Sequence, residues 1–180
     1  MTKHIMIIAT NGFEQSELMV PKANLEDAGF ETTVVGLEAG EIKGWDQKDW
    51  GKSVPVDKTV DQVSASDFDG LLLPGGQMNP DILRMNDKVI HLVREFDRAD
   101  KPVAAICHAP WLLIEAGIVS GKTVTSWPSV RTDLKNAGAN VVDQEVAEDG
   151  NLITSRNPDD IPAFSKAFIS KVKETASQPA

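Results

Sequence analysis

The sequence predicts an α/β fold: a doubly wound, flavodoxin-like sheet that is mostly parallel, with helices on both of its faces. Short runs of Val, Ile and Leu, each ended by turn residues, are typical of strands buried in a parallel sheet. Longer helical patterns lie between these runs, and parallel strands need such crossover connections. With 180 residues, of which 41% are hydrophobic, the chain is large enough for one domain with its own core.

Six short apolar runs are interpreted as strands. HIMIIAT, near the start of the chain, is the first, and GLLL before the turn residues PGG is a later example. Runs of this length and composition indicate buried strands. The predicted strands are 4–10, 32–37, 70–73, 103–106, 123–126 and 152–155.

Five longer segments are predicted to be helices. The first begins at Ser16, a residue type that caps helices, and contains Pro21 only near its start. The second places Val89, Val93 and Phe96 on one stripe, as an amphipathic helix does. The predicted helices are 16–28, 87–99, 111–116, 130–137 and 161–175.

Two segments interrupt the alternation of strands and helices. Residues 40–56 contain glycines, lysines and two tryptophans, and we interpret them as a β-hairpin at the rim of the fold. Residues 140–151 contain the turn pair Asp149-Gly150 and predict a second hairpin that leads into the last strand. Because no repeat or linker divides the chain, residues 1–175 are predicted to form the domain and residues 176–180 a loose tail.

The composition excludes several classes of protein. The net charge of −9 argues against nucleic acid as a partner, because binding to nucleic acid would need a basic stripe. A lone cysteine forms no internal disulfide, and the first residues lack the pattern of a signal peptide or membrane span, so we expect a cytoplasmic protein with no membrane partner. One cysteine and three distant histidines give no metal-ligand spacing, and no glycine-rich nucleotide motif occurs, so no metal and no other cofactor is predicted.

Residues with acidic, nucleophilic or basic side chains follow the predicted strands. The loops after these strands read NGFEQSE, PGGQMNPD, CHAP, SWPS and RNPDD. In open parallel sheets, ligands bind outside the carboxyl ends of the strands. We therefore expect acidic groups, a Gly-Gly pair, a thiol, an imidazole and the guanidinium of Arg156 to converge on one edge of the sheet.

Cys107, the only cysteine, stands between an apolar run and a predicted helix. A strand-to-helix turn presents free backbone N–H groups, which lower a thiol pKa and suit a nucleophile. A buried structural cysteine fits the same apolar run. The pair Gly75-Gly76 also has two interpretations. The glycines let backbone N–H groups approach a substrate oxygen closely, or they only permit a tight connection between a strand and a helix.

Five motifs occur in order between His4 and about Lys173: GFEQSEL, LLLPGG, PVAAICHAP, KNAGA and LITSRNPDD. Together they resemble the PfpI superfamily, the intracellular protease, amidase and deglycase group that is related to class I glutamine amidotransferases. The chain is most similar to the bacterial stress-protein branch, whose members carry Cys-His at the elbow. The resemblance implies an enzyme that needs no cofactor and assembles as a homo-oligomer, either a dimer or a hexamer.

The resemblance also implies roles for individual residues. Cys107 matches the nucleophile, and His108 matches the imidazole that forms a dyad with it in the protease-like branch. Glu17 matches the carboxyl that hydrogen-bonds the thiolate, a role for which it is most useful when protonated. Glu14 lies three residues earlier on the same helical face, and on sequence alone the two glutamates could exchange roles.

Further matches concern the oxyanion hole and the second subunit. The backbone N–H groups of the Gly75-Gly76 pair and of His108 match the oxyanion hole. Asp81 falls where protease-like members place an acidic residue that reaches the imidazole of a neighbouring subunit. A complete Cys-His-acid set would therefore require an oligomer.

Three further residues are candidates for substrate binding. Trp111 and Trp127 lie just past predicted strand ends. This position predicts that they line the pocket, or that they pack in the core or at an interface. The sequence allows two roles for Arg156. It can orient a substrate carboxylate, or it can form a structural ion pair with Asp159 or Asp160.

Three functions remain open. The leading hypothesis is a deglycase- or glyoxalase-like stress enzyme in which Cys107 adds to small reactive carbonyls or to glycated proteins and Glu17 moves the proton. The second is hydrolysis of amides or peptides, with His108 as base and Asp81 orienting it. The third is a redox sensor or chaperone in which Cys107 is oxidised to a sulfinic acid.

Overall fold

The structure is a computed structural model that describes residues 1–175, so the tail predicted at 176–180 lies outside the described residues. Twelve strands are present in that range. They are β1 (His4–Ile8), β2 (Phe13–Glu14), β3 (Glu31–Gly36), β4 (Gly40–Asp46), β5 (Asp49–Val56), β6 (Lys58–Thr59), β7 (Gly70–Leu73), β8 (Val103–Ile106), β9 (Thr123–Val124), β10 (Asn140–Val141), β11 (Ala147–Asp149) and β12 (Leu152–Ser155).

Six α-helices connect these strands within the described range. They are α1 (Gln15–Asp27), α2 (Met78–Leu83), α3 (Asp87–Arg98), α4 (Pro110–Glu115), α5 (Arg131–Asn136) and α6 (Ile161–Glu174). None of the helices in residues 1–175 has the length and apolar character needed to cross a membrane.

The central sheet has seven strands in the order β11-β12-β8-β7-β1-β3-β6. All neighbouring pairs are parallel except β11 with β12. The five central strands follow the flavodoxin-like order, in which the second strand lies outside the first and the chain then reverses direction across the sheet. The predicted doubly wound, mostly parallel fold is therefore confirmed, and the strand order reverses between β1 and β7.

Alternate residues of each strand face opposite layers of helices. Ile5 and Ile7 of β1 pack with residues of α1 and α6, including Phe164. Met6 and Ile8 pack on the other face with residues of α3, α4 and α5. Because both faces are covered, β7 and β8 are buried at every position, and this burial explains why their sequences are continuously apolar.

The predicted strand at 123–126 is wrong in part. Only Thr123 and Val124 are extended, and they pair with β10 in a separate two-stranded sheet. The backbone N–H of Thr125 donates to the side-chain oxygen of Thr154 at 3.0 Å. This N–H therefore bonds a side chain of β12 and not the backbone of a neighbouring strand.

The two predicted hairpins fare differently. The first is confirmed as the antiparallel pair β4 and β5. In the second, β11 and β12 form a hairpin around Gly150, but β10 pairs with β9 instead. Helix α2, which follows the Gly-Gly pair, was not predicted.

Candidate active site

Cys107 lies between β8 and α4 in a left-handed backbone conformation, with φ of 66°. A non-glycine residue in this region costs about 1–2 kcal/mol, so the surrounding structure must hold it there. The Cys107 N–H donates to the carbonyl of Ser155 at 3.0 Å, and the Cys107 carbonyl accepts from the N–H of Trp127 at 2.9 Å. The elbow is thus clamped by β12 on one side and by the loop after β9 on the other.

The glycine pair after β7 allows the backbone to pass close to this elbow. A Cβ atom at Gly75 would lie 2.5 Å from Oε1 of Glu17 and 2.7 Å from Cβ of Cys107. Gly76 has φ of 86°, and a Cβ there would lie 2.5 Å from the carbonyl oxygen of Gly12. Both glycines are therefore required for close approach at the site, and not only for a tight connection.

Glu17 is completely buried on α1 beside the elbow. Its Oε1 accepts a hydrogen bond from the N–H of Gly75 at 3.0 Å, whereas its Oε2 is buried without a partner in the described residues. Burial, reinforced by the charge of Glu14, raises the pKa of Glu17 to about 8, although hydrogen bonds from Gly75 and Cys107 oppose this rise. The carboxyl is therefore protonated at neutral pH and can donate a proton.

The two glutamates near the site differ in position. Glu14 lies in β2 and is only half-buried; its N–H donates to the carbonyl of Gly75 at 3.2 Å. Its pKa is raised by burial and by the charge of Asp46. Because Glu17 alone is fully buried with its carboxyl bonded to the Gly75 N–H, Glu17 is the better candidate for the proton-transferring carboxyl.

The thiol of Cys107 is 5% exposed and lies among carboxyl groups and N–H donors. Burial raises its pKa, and the negative charge of an ionised Glu17 raises it further; N–H groups of Gly76 and His108 lower it. The N–H group of the turn lowers the thiol pKa in the direction predicted, but burial is the larger effect, so the expected low thiol pKa is wrong. A thiolate at this position needs Glu17 to remain protonated, since two adjacent buried anions are unfavourable.

The predicted oxyanion hole changes in one member. The N–H groups of Gly76 and His108 hydrogen-bond the Cys107 sulfur, and that they bind a substrate oxyanion stays a prediction. The N–H of Gly75 instead donates to Glu17, so Gly75 does not supply the third donor. Its contribution is to orient the carboxyl.

His108 contacts the nucleophile directly. Its Nδ1 lies 3.2 Å from Sγ of Cys107, and burial lowers the pKa of the imidazole, which keeps it neutral at pH 7. The ring lies 5.1 Å from the Trp111 ring and is stacked at 5.7 Å on the Trp127 ring. The indole N–H of Trp111 donates to Asp133 at 2.9 Å. The two tryptophans therefore enclose the imidazole in this chain.

Asp81 lies apart from the imidazole. It is exposed on α2, and no hydrogen bond or ion pair joins it to His108 among residues 1–175. That it completes the site of a neighbouring subunit stays a prediction.

Arg156 is occupied by carboxylates of the same chain. Its Nε and a terminal nitrogen donate to the two oxygens of Asp160 at 3.0 and 2.9 Å, and its other terminal nitrogen donates to Asp143 at 3.0 Å. The ion-pair alternative therefore describes Arg156, and the predicted role in substrate binding is not supported. Asp160 is buried, and its charge contributes to the raised pKa of Glu17.

Asn79 is a site residue that the sequence analysis missed. It is completely buried; its Oδ1 accepts from the N–H of Thr10, and its Nδ2 donates to the carbonyls of Pro74 and Gly75. It therefore ties the loop after β1 to the Gly-Gly loop. The sequence held little signal for this role, because Asn79 follows the exposed Gln77 and Met78 and its burial is seen only in the structure.

Comparison with known proteins identifies the family. A model of the DJ-1/PfpI family matches residues 3–171. The chain belongs to the DJ-1/PfpI family. Among its relatives, general stress protein 18 of Bacillus subtilis is 43% identical over 176 residues, covering 97% of this chain and 100% of that protein. Protein/nucleic acid deglycase 2 of Escherichia coli is 43% identical over 171 residues, covering 94% and 97%.

A solved structure extends the comparison to the fold. The crystal structure of Drosophila melanogaster DJ-1beta is 35% identical and superposes with a TM-score of 0.85, covering 97% of this chain and 95% of that chain. The architecture described above, a mostly parallel sheet flanked by helices, is therefore the DJ-1/PfpI architecture along nearly its whole length.

Proposed function

We propose that this DJ-1/PfpI protein is a cysteine-dependent stress-response enzyme that converts reactive carbonyls to hydroxy acids, in the manner of a deglycase or glyoxalase. One observation carries the proposal. Cys107 and the fully buried carboxyl of Glu17 both lie against Gly75, whose N–H bonds Glu17 at 3.0 Å, and the N–H groups of Gly76 and His108 hydrogen-bond the sulfur. Burial raises the pKa of Glu17 to about 8, so its carboxyl can donate a proton at neutral pH. The names of two relatives, a general stress protein and a deglycase, support it.

The first step is addition to the aldehyde. With methylglyoxal as substrate, the neutral imidazole of His108, 3.2 Å from the sulfur, takes the thiol proton and passes it to solvent. The Cys107 thiolate then attacks the aldehyde carbon, and the electron pair of the carbonyl bond moves to its oxygen. The N–H groups of Gly76 and His108 stabilise this oxyanion, and the Glu17 carboxyl then protonates it. The product is a hemithioacetal, and Glu17 is left as a carboxylate.

The second step transfers a proton within the adduct. The Glu17 carboxylate removes the hydrogen of the former aldehyde carbon as a proton, and the former ketone oxygen takes the negative charge, which gives an enediolate. The hydroxyl proton moves to that oxygen, and the Glu17 carboxyl returns its proton to the former ketone carbon. This produces the thioester of lactate and leaves Glu17 as a carboxylate. The aldehyde carbon is oxidised and the ketone carbon is reduced, so no external oxidant is needed.

Water completes the cycle. The neutral imidazole of His108 accepts a proton from water, which attacks the thioester carbonyl and releases the Cys107 thiolate and lactic acid. The acid gives its proton to the Glu17 carboxylate and leaves as lactate, and the His108 imidazolium releases its proton to solvent. One water is consumed for each methylglyoxal. A neutral histidine suits this step because a base must be unprotonated at the working pH.

The experiment is steady-state formation of lactate from methylglyoxal, without added thiol, by the natural chain and by Cys107→Ser and Glu17→Gln. We expect both substitutions to lower kcat/KM by at least about 100-fold, the usual scale for loss of a proton-transferring group. Glu38→Gln, which makes the same chemical change on an exposed residue, is the matched control and should retain full activity. Full lactate formation by Cys107→Ser would refute the proposal.

The substrate panel should also include glycated proteins and glycated nucleic acids. The name of the Escherichia coli relative couples protein with nucleic acid, whereas the acidic charge of this chain predicts no affinity for nucleic acid. Turnover of a glycated nucleotide at a rate comparable to that of methylglyoxal would place nucleic acids among the substrates despite the net charge.

A second candidate function is hydrolysis of amides or peptides by the same nucleophile. The 3.2 Å contact between Sγ of Cys107 and Nδ1 of His108 favours it, because a neutral base at this distance can activate a thiol. If the natural chain forms no lactate but cleaves a fluorogenic peptide, and Asp81→Asn abolishes that cleavage, the site acts as a peptidase completed by a second subunit.

A further inference from the structure

We propose that the Cys107 site selects neutral or cationic carbonyl compounds and disfavours those that carry a carboxylate or phosphate, and that Glu14 is the residue that determines this specificity. The inference deepens the proposed function, because it names the charge class of its substrates. It concerns the electric field at the sulfur, which can be measured whether or not the enzyme forms lactate.

Glu14 is fixed at the site by its backbone. Its strand, β2, pairs in parallel with β4, and Glu14 lies opposite Trp45. On its other side, its N–H donates to the carbonyl of Gly75 at 3.2 Å. Glu14 is thus held between the hairpin and the loop that contacts Cys107, in a half-buried position from which the side chain still meets solvent.

The charges that act on the sulfur are negative. Glu17 and Glu14 both bond Gly75, Glu17 through its Oε1 and Glu14 through its backbone N–H, and a Cβ atom at Gly75 would lie 2.7 Å from Cβ of Cys107, so both residues lie beside the thiol. The charges of both raise the pKa of Cys107. Glu17 is protonated at neutral pH, which leaves Glu14 as the main anion facing the nucleophile. Asp46, exposed at the end of β4, adds a second negative charge close to Glu14.

The arginines around the site do not compensate for this charge. Arg156 is saturated by Asp160 and Asp143, as described above, and Arg131 shares Asp143 with it. Arg84 lies over the ring of Trp111 but is paired with Glu115. Each of these arginines thus already has a carboxylate partner, and the Nε of Arg131, which has no partner in the described residues, is buried. A substrate carboxylate would therefore meet Glu14 without an accessible unpaired guanidinium to offset it, whereas a neutral aldehyde would lose nothing.

The test compares two alkylating reagents of nearly equal size and different charge. Iodoacetamide is neutral and iodoacetate is anionic, and both can alkylate Cys107, which is the only thiol in the chain, so intact mass counts the reaction directly. The ratio of the two second-order rate constants, measured at one pH, does not depend on the fraction of thiolate. This matters because substitution of Glu14 also changes the pKa of Cys107.

We expect the ratio of iodoacetamide to iodoacetate rates to be at least about 5-fold larger for Cys107 than for 2-mercaptoethanol, as expected for one anion a short distance away in a partly screened site. Glu14→Gln should lower this excess by about 3-fold or more by accelerating iodoacetate, and Asp46→Asn should act in the same direction more weakly. Glu38→Gln, the matched exposed control, should leave the ratio unchanged.

Two outcomes would overturn the inference. One is a ratio for the natural chain equal to that of 2-mercaptoethanol. The other is a high ratio that neither Glu14→Gln nor Asp46→Asn reduces, which would assign the selectivity elsewhere. Absence of lactate formation with the expected ratios would refute the proposed function alone, because the alkylation experiment does not use turnover.

Discussion

Two groups of polar residues lie close together at the carboxyl edge of the sheet, and they differ in how completely they are paired. Around Arg156, each of its three side-chain nitrogens bonds a carboxylate oxygen, and the buried Asp160 is satisfied on both of its oxygens. Around Cys107, the backbone is left-handed and one oxygen of Glu17 has no partner in the described residues. Pairing stabilises the first group, whereas the second keeps unused hydrogen-bonding capacity.

This difference supports the Cys107 group, and not the Arg156 group, as the place of the proposed chemistry. A saturated ion pair has nothing left to offer a substrate, so it supports the fold and sets the charge around its neighbours. A strained nucleophile with an unpaired buried carboxyl retains groups that a reacting molecule can use. The following changes test the difference between the two groups, beginning with the one that we expect to have the largest effect.

The largest effect is expected from Gly75→Ala. The added Cβ would lie 2.5 to 2.7 Å from Oε1 of Glu17, the carbonyl oxygen of Ile106 and Cβ of Cys107, which is too close for each contact. Glu17 and Cys107 belong to the site itself. The free energy of unfolding should fall by about 3 kcal/mol, and lactate formation should be lost. Urea unfolding and the lactate assay measure both quantities.

A control separates this overlap from the general cost of replacing glycine. Gly117 has φ of 74°, and a Cβ atom added there would meet nothing within 4 Å, so Gly117→Ala should cost about 1 kcal/mol and leave lactate formation intact. Equal losses of stability and activity in the two variants would contradict the close-approach argument.

The pH dependence of stability should report the buried carboxyl. The pKa of Glu17 is raised from 4.5 to about 8 in the folded chain, so between these values the folded state holds a proton that the unfolded state has released. Stability should therefore fall as pH rises from about 5 to 8, by an amount that reaches on the order of 3 kcal/mol near pH 7. Urea unfolding across this range measures it.

Glu17→Gln should remove this part of the pH dependence, because glutamine does not ionise. The variant should consequently be more stable than the natural chain at pH 8, although it is inactive. Identical pH slopes for the two proteins would mean that Glu17 is ionised in the folded state.

Arg156→Gln should affect stability without affecting substrate binding. Its removal leaves the buried Asp160 without its guanidinium, so the thermal midpoint should fall, whereas KM for methylglyoxal should stay the same. Arg98→Gln, which removes an exposed arginine whose only ionic partner among residues 1–175 is Glu95, should leave both values unchanged. A KM raised several-fold by Arg156→Gln would restore the substrate-binding role.

The smallest effect is expected from Trp127→Ala. Its ring stacks on the imidazole of His108 but is 38% exposed, so its loss should loosen the imidazole more than it destabilises the fold. We expect kcat/KM for methylglyoxal to fall by about 3-fold and the free energy of unfolding to change by less than about 1 kcal/mol. Trp50→Ala on the exposed hairpin is the control, and an equal loss of activity there would argue against a specific role.

The sequence predicted the buried strands best. Strands 70–73, 103–106 and 152–155 have the same bounds in the structure, because runs covered on both faces by helices must be apolar throughout and end where the turn residues begin. It failed where the partner was distant. Neither the pairing of β9 with β10 nor the short helix α2 has a local pattern, since both depend on bonds to residues far along the chain.

The site shows the same division. The loop motifs predicted that a thiol, an imidazole and acidic groups converge, and the family resemblance indicated Glu17 among the acidic groups. The structure brings Cys107, His108 and Glu17 together. The roles of Gly75 and Arg156 were not predictable, because Glu17 takes the N–H of Gly75 and Asp160 and Asp143 take the guanidinium of Arg156. No sequence motif reports these bonds. The direction of the thiol pKa depended on burial, which outweighs the local effect of a turn.

The sequence by itself determined the order of strands and helices, the edge of the sheet that carries the reactive groups and the residue type at the elbow, because these follow from short-range patterns and from the rule that parallel strands end at a common edge. The tertiary structure decided which polar groups are saturated and which remain free. It also decided that Glu17 holds its proton at neutral pH. These properties arise from desolvation and from competition among side chains distant in sequence, and both exist only once the chain is folded.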